Sequence, residues 1–241
     1  MTMIGLGTIV NVAAIVVGGC LGTLFRGGLK ERYQTALIRT LGVTTMFIGI
    51  AGALPGMLEV AEGQLVGKDT LCMVLALALG TVVGEFLDFD GLLERLGRWL
   101  KEKAARSDDA RFIEGFVTAS LVVCVGAMAI VGSIQDGLTG NPATLYTKSI
   151  LDFAIVMVFA STYGRGAIFS ALPVGVLQGS VTLLAGLVAP LFTPAVIANL
   201  SFLGSVLIFC VGVNLALDNR FRVANMLPAL VIGAVYTVLF G

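Results

Sequence analysis

Asp152 is the best-placed ionisable residue in this chain, because it falls about seven residues into an apolar stretch, with Lys148 four residues before it. At the 1.5 Å rise of a helix that is roughly 10 Å from the start of the stretch. Carboxylates at such depth are costly in lipid and are functional candidates by default. Asp152 could bind a cation or carry a proton; equally, an i, i+4 pairing with Lys148 could neutralise it structurally. Gln178 is the second candidate. It sits between Gly175 and Gly179 and five residues after Pro173, where a missing backbone donor frees a carbonyl one turn back and predicts a distorted or broken helix. A proline kink with a glutamine bonding across helices would explain the same residues without a ligand. Asn11 is a third polar residue at moderate depth. A substrate or ion site would therefore be built from Asp152, Gln178 and Asn11, with the backbone around Pro173 and Gly175. Glu85, Glu114, Asp136, Asn199 and Asn214 fall nearer the ends of apolar stretches and read as interfacial or capping residues.

These residues need long apolar elements to hold them, and the chain supplies eight: Ile4–Phe25, Leu41–Leu58, Leu71–Phe89, Phe116–Ile134, Leu145–Tyr163, Ala167–Leu191, Val196–Leu217 and Val223–Phe240. A helix crossing the hydrocarbon core needs roughly 20 mostly apolar residues. The expected fold is thus an all-α polytopic membrane protein with about eight transmembrane helices, one membrane domain over 1–241. The fifth stretch, holding Thr147, Lys148 and Asp152, is the least apolar of these. A composition of 57% hydrophobic and 12% charged residues, with 31 glycines, excludes an ordinary soluble domain. The net charge of zero gives no reason to expect a nucleic-acid partner. Cys20, Cys72, Cys124 and Cys210 all lie in apolar stretches, without CxxC spacing and without any histidine. No zinc site, disulfide framework or other cofactor is expected. The first stretch lacks a basic leader and a small-residue cleavage site, so it reads as a retained span.

Positive charge sorts by side. Thirteen Lys and Arg residues follow odd-numbered stretches, and only Lys68 and Lys148 follow even-numbered ones. Basic residues resist translocation, which puts the thirteen on the cytoplasmic side and both termini outside.

Glycine spacing suggests duplication. Gly18 and Gly22 precede Gly28-Leu29-Lys30-Glu31-Arg32, and Gly80 and Gly84 precede Gly91-Leu92-Leu93-Glu94-Arg95. The helix pairs 1–58 and 63–137 would be repeats. A weaker echo in 145–241, from Gly175 and Gly179 to the run Cys210–Leu217, would be an inverted repeat, an arrangement that transporters use around a midplane site. Glycines four apart let helices approach closely, which also permits a homo-oligomer. Residues 91–111 form a connector with Leu92, Leu93, Leu96, Trp99 and Leu100 on one stripe, suited to a helix lying at the cytoplasmic membrane surface.

The early GTIVNVAAIVVGGCLGTLF, the paired GLxER turns, LDFAIVMVFASTYGRGAIFSALPVGVLQG and the closing NMLPAL together resemble the YqgA/YdfK-like family of bacterial integral membrane proteins, a domain-of-unknown-function family. The resemblance covers essentially the whole chain. It implies an inner-membrane location and a transport role, with no substrate and no site residues to carry over. Repeats, glycine-lined contacts, a proline in a span and buried polar groups favour a secondary transporter or permease for a small solute or ion, with the bilayer as its other partner. No P-loop is present, so an ion gradient or partner subunits would drive it. A non-transporting scaffold or assembly factor is the alternative. An intramembrane enzyme finds no GxSxG elbow, no HExxH and no aspartate pair at matched depth.

Overall fold

The computed structural model describes residues 3–26, 31–61, 63–104, 111–124, 127–217 and 221–240. Gly28, Leu29 and Lys30 of the first GLxER run, Arg106 of the connector, and Lys30, Arg106 and Arg220 of the charge pattern lie outside these residues. Helices dominate: α1 (Leu6–Arg26), α2 (Glu31–Met57), α3 (Thr70–Leu87), α4 (Phe89–Ala104), α5 (Phe112–Cys124), α6 (Ala127–Thr139), α7 (Ala143–Tyr163), α8 (Ala171–Leu183), α9 (Ala185–Val188), α10 (Pro194–Leu217) and α11 (Pro228–Phe240). A chain in hydrocarbon must satisfy its backbone internally, and a helix does so within one segment. Among the described residues, seven helices are long and apolar enough to cross a membrane. An eighth crossing results if α5 and α6 count as one span, bent by 61°. The protein is an all-α polytopic membrane protein, its outer faces carrying large apolar side chains such as Phe86 (89% exposed) and Leu183 (83%), as lipid contact requires.

Three details depart from the sequence expectation. The fourth stretch is not one straight helix; α5 stops at Cys124 and the chain turns before α6. A two-stranded antiparallel hairpin, β1 (Leu58–Ala61) and β2 (Gln64–Gly67), occupies the polar break after α2. In the sixth stretch the distortion falls ahead of Pro173. Arg165–Ser170 winds as a 3-10 helix, and α8 then runs unbroken, with Pro173 in its first turn, a position that tolerates proline. The same device recurs at Val223–Met226, a 3-10 turn leading into α11, whose first residue is Pro228. The fifth stretch, despite its polar residues, is one continuous helix of 21 residues.

The chain divides into two compact units that interleave along the sequence. In the first, covering 1–38, 93–124 and 128–190, α1 packs along α7, and α5 packs on the 3-10 segment Arg165–Ser170. Close approach is possible because a Cβ at Gly18 would stand 2.5 Å from the Phe153 carbonyl oxygen, and one at Gly22 would run into that of Met157. In the second, covering 39–92, 125–127 and 191–241, α3 packs on α11, where side chains at Gly80 and Gly84 would strike Ala229 and Asn225. The backbone of α2 meets α10 the same way, with Gly42 against Ala216 and Gly49 against Phe209. Lipid offers no hydrophobic drive between helices, so such backbone contacts supply the packing.

The amphipathic connector is α4. Leu100 is buried against Phe112 and Phe116, while Leu92, Leu96 and Trp99 stay exposed. The Lys103 ammonium lies 4.9 Å from the centre of the Trp99 ring, a cation–π contact. Asp88, in a left-handed conformation at φ 51°, ends α3 and accepts the Gly91 N–H at the start of α4. All four cysteines are free; Cys72 and Cys210 are buried as expected, whereas Cys20 is exposed on α1.

Candidate functional site

Helices α1, α7 and α8 of the first unit bring Asn11, Asp152 and Gln178 into one hydrogen-bonded chain, although they are 141 and 167 residues from one another along two of its links. Lys148 and Asp152 pair within α7, Nζ to Oδ1 at 2.8 Å and to Oδ2 at 2.6 Å, both residues buried. The third donor of the ammonium goes to the carbonyl oxygen of Val123 at 2.8 Å. Val123 is the last residue but one of α5, where carbonyls lack helical partners and the helix dipole is negative. The ammonium therefore meets a backbone oxygen at the negative end of α5.

From Asp152 the order continues outward. A carboxylate accepts only, so it fixes the Asn11 amide with Nδ2 toward it, at 2.9 Å from Oδ2. The other hydrogen of Nδ2 goes to Gln178 Oε1 at 3.3 Å. Charge therefore orients both amides, and two atoms are left facing away: Asn11 Oδ1, an acceptor, and Gln178 Nε2, a donor. Both are buried and have no protein partner. Leaving a buried polar atom unpaired costs about 1–3 kcal/mol, so such atoms mark places where water or a ligand belongs.

Two further unpartnered oxygens extend the polar strip, Thr8 Oγ1 on α1 and Thr182 Oγ1 on α8. They lie one turn from Asn11 and Gln178 on the same faces. Neither was singled out in the sequence, where the i+4 spacing from Gln178 to Thr182 was the available signal. Asp136 was expected at an interface. It is instead fully buried in α6, with Oδ2 accepting the Gly7 N–H of the first turn of α1 at 3.1 Å and Oδ1 unpartnered. It does cap a helix, but one distant in sequence, which spacing could not reveal.

Pro173 and Gly175 stand apart from this chain. Pro173 is half-buried in the first turn of α8. At Gly175 a Cβ would be 3.3 Å from Val12 Cγ2, so the glycine faces α1 one turn from Gln178 and serves its approach. Among the described residues no group of three Cys, Asp or Glu side chains could hold a metal ion.

Outside this strip, Asn199 Oδ1 and Asn225 Nδ2 are likewise buried without a partner, and other polar groups serve local structure. Asn214 brackets Phe221, donating to its carbonyl at 2.6 Å and accepting its N–H at 2.8 Å. Asn199 Nδ2 contacts Cys72 Sγ at 3.2 Å. Arg222 reaches Glu85 at 2.7 Å, Asp88 at 3.0 Å and Asp90 at 3.6 Å on the exposed edge of the second unit.

Comparison with known proteins agrees with the helical pattern. Residues 6–238 match a family described as a protein of unknown function, DUF554. An uncharacterised protein of Escherichia coli (strain K12), YqgA, is 30% identical over 234 residues, 94% of each chain. An uncharacterised membrane protein of Bacillus subtilis (strain 168), YdfK, is 29% identical over 226 residues, 94% of this chain and 93% of that one. No solved structure matches. With nearly the whole length matched and membrane-crossing helices throughout, the chain belongs to the DUF554 family.

Proposed function

We propose that this chain is a secondary transporter or permease for a small solute or ion, working in a bacterial inner membrane with both termini outside. The observation that carries the reading is the buried strip in the first unit: an ion pair on α7, a helix-end carbonyl at Val123 that accepts from Lys148, and the amide atoms Asn11 Oδ1 and Gln178 Nε2 left bare. Ionisable and bare polar groups facing the interior of a helix bundle are costly and mark ion or substrate paths. Backbone released at a helix break is a recurrent ligand in such proteins. Asp152, Gln178 and Asn11 are the site residues we assign, and no enzymatic step is needed to account for them.

The test is flux in proteoliposomes across a panel of small solutes and ions, with Asp152→Asn and Gln178→Met beside the natural sequence. Transport that both substitutions weaken supports the reading; absence of flux for every panel member removes it. Orientation is tested separately by reporter fusions at Arg106 and Gly241. Opposite locations are expected from the thirteen-to-two charge distribution, and the same side for both would overturn it.

The scaffold reading keeps one specific support. All three Lys148 donors are satisfied by protein acceptors, as expected of a staple holding α5 to α7. A scaffold, however, has no use for amide atoms left without partners at the same place.

A further inference from the structure

Resting on the transport reading and narrowing it to a ligand class, we infer that the place now filled by the Lys148 ammonium is a seat for a free monovalent cation, with Lys148 as its tethered competitor. The acceptors are the Val123 carbonyl and both Asp152 oxygens, at 2.6–2.8 Å from Nζ. All are oxygens, one sits at the negative end of α5, and together they carry one negative charge. With Lys148 withdrawn, a cation of charge one restores neutrality. A divalent ion would leave a net positive charge in a medium of low dielectric, a costly state. The distances suit a cation of ammonium or potassium size.

A free ion needs more ligands than an ammonium head, and a turn of the Asn11 amide would bring a fourth oxygen, Oδ1, to the side that Nδ2 now faces. Asn11 Oδ1 belongs to the amide whose nitrogen touches Asp152 Oδ2, is fully buried and has no partner. It stays bare while Lys148 is seated. Lys148 can leave because its charge rides on a flexible four-carbon stem, whereas the Val123 carbonyl and Asp152 are held by helix backbone and by Asn11. Gln178 Nε2 is a donor and cannot ligate a cation; its amide instead holds Asn11 in place through Oε1.

The experiment is thermal unfolding of purified protein titrated with potassium, ammonium or sodium chloride, choline chloride keeping ionic strength constant. Lys148→Met empties the seat, and a saturable rise in Tm with potassium or ammonium is expected, since a ligand bound only to the folded state stabilises it. Lys148→Met with Asp152→Asn should show no such rise. An equal rise in both variants is a general salt effect and overturns the inference, as does a folded Lys148→Met protein that no monovalent cation shifts. Should Lys148→Met not fold, the natural protein decides: acylation of Lys148 by an amine-reactive reagent should speed up in potassium over choline, and an unchanged rate overturns the seat. Flux that persists without any cation shift would refute this inference and leave the transport reading standing. A cation shift in a protein without flux for any solute would do the reverse.

Discussion

The two units pack by the same means and differ in where they keep charge. In each, glycines four apart bring backbones together: Gly18 and Gly22 on α7 in the first, Gly80 and Gly84 on α11 and the turn before it in the second. The second unit places its main ion-pair cluster at an exposed edge, around Arg222. The first buries Lys148 with Asp152; bare amide atoms occur in both, at Asn11 and Gln178 in the first and at Asn199 and Asn225 in the second. Glycine strips are thus architecture common to both units and say little about activity. Buried charge is not required by that architecture, because the second unit is built without an interior ion pair among its described residues.

The sharpest way to break this contrast is to remove one buried partner. Lys148→Met in choline medium leaves Asp152 as an uncompensated charge, and we expect a loss of about 3–5 kcal/mol in stability, read as unfolding in detergent. Adding Asp152→Asn should recover most of it, because a pair replaced by neutral groups of similar volume is often tolerated. A single variant as stable as the natural protein would show that Asp152 is not held as an ion.

Next comes the feature the units share. Gly22→Leu and Gly84→Leu should each destabilise by about 1–3 kcal/mol or more, since overpacking forces the neighbouring backbone to move, here at the carbonyls of Met157 and Asn225. Similar losses are expected in both units. A harmless Gly22→Leu would remove the α1–α7 contact from the structural account.

A smaller and more telling change is Gln178→Met. It keeps length and volume, deletes the bare donor, and loses one 3.3 Å hydrogen bond. Stability should change by less than about 1 kcal/mol, because a weak bond is lost and an unsatisfied group with it. Flux should fall about three- to tenfold if that donor binds the solute, the worth of one neutral hydrogen bond. A drop in stability with flux intact would make Gln178 a packing residue and bring the first unit closer to the second.

Depth selected Asn11 and Asp152, and depth together with the neighbouring proline and glycines selected Gln178; the three meet because polar side chains in apolar surroundings have few partners except one another. The Lys148 pairing was legible from its i, i+4 spacing. Other parts of the site left no trace in residue type. The Val123 carbonyl is a backbone atom at the end of α5, and residue type does not announce its contact with Lys148. Asp136 looked interfacial because its burial depends on the start of α1, 129 residues away. The hairpin Leu58–Gly67 hid in a polar break, and the sorting of interleaved segments into two units depends on contacts that local patterns do not encode.

The smallest effect is expected at the exposed cluster of the second unit. Glu85 first, with Asp90 and Asp88, raises the Arg222 pKa above the ordinary arginine value. A raised folded-state pKa gives stability that is present below the unfolded-state value and lost only as pH rises through the folded one. Arg222 therefore contributes no pH dependence in the neutral range. Its side chain is half-exposed, so salt screens the attraction and an exposed pair contributes little. Arg222→Gln should lower Tm slightly at low ionic strength, and the difference from the natural protein should vanish as salt is added. Neither flux nor the potassium-induced shift of the Lys148→Met protein should change. If Arg222→Gln abolished transport while the fold survived, charge at the edge of the second unit would be as functional as charge buried in the first, and the contrast between the units would fail.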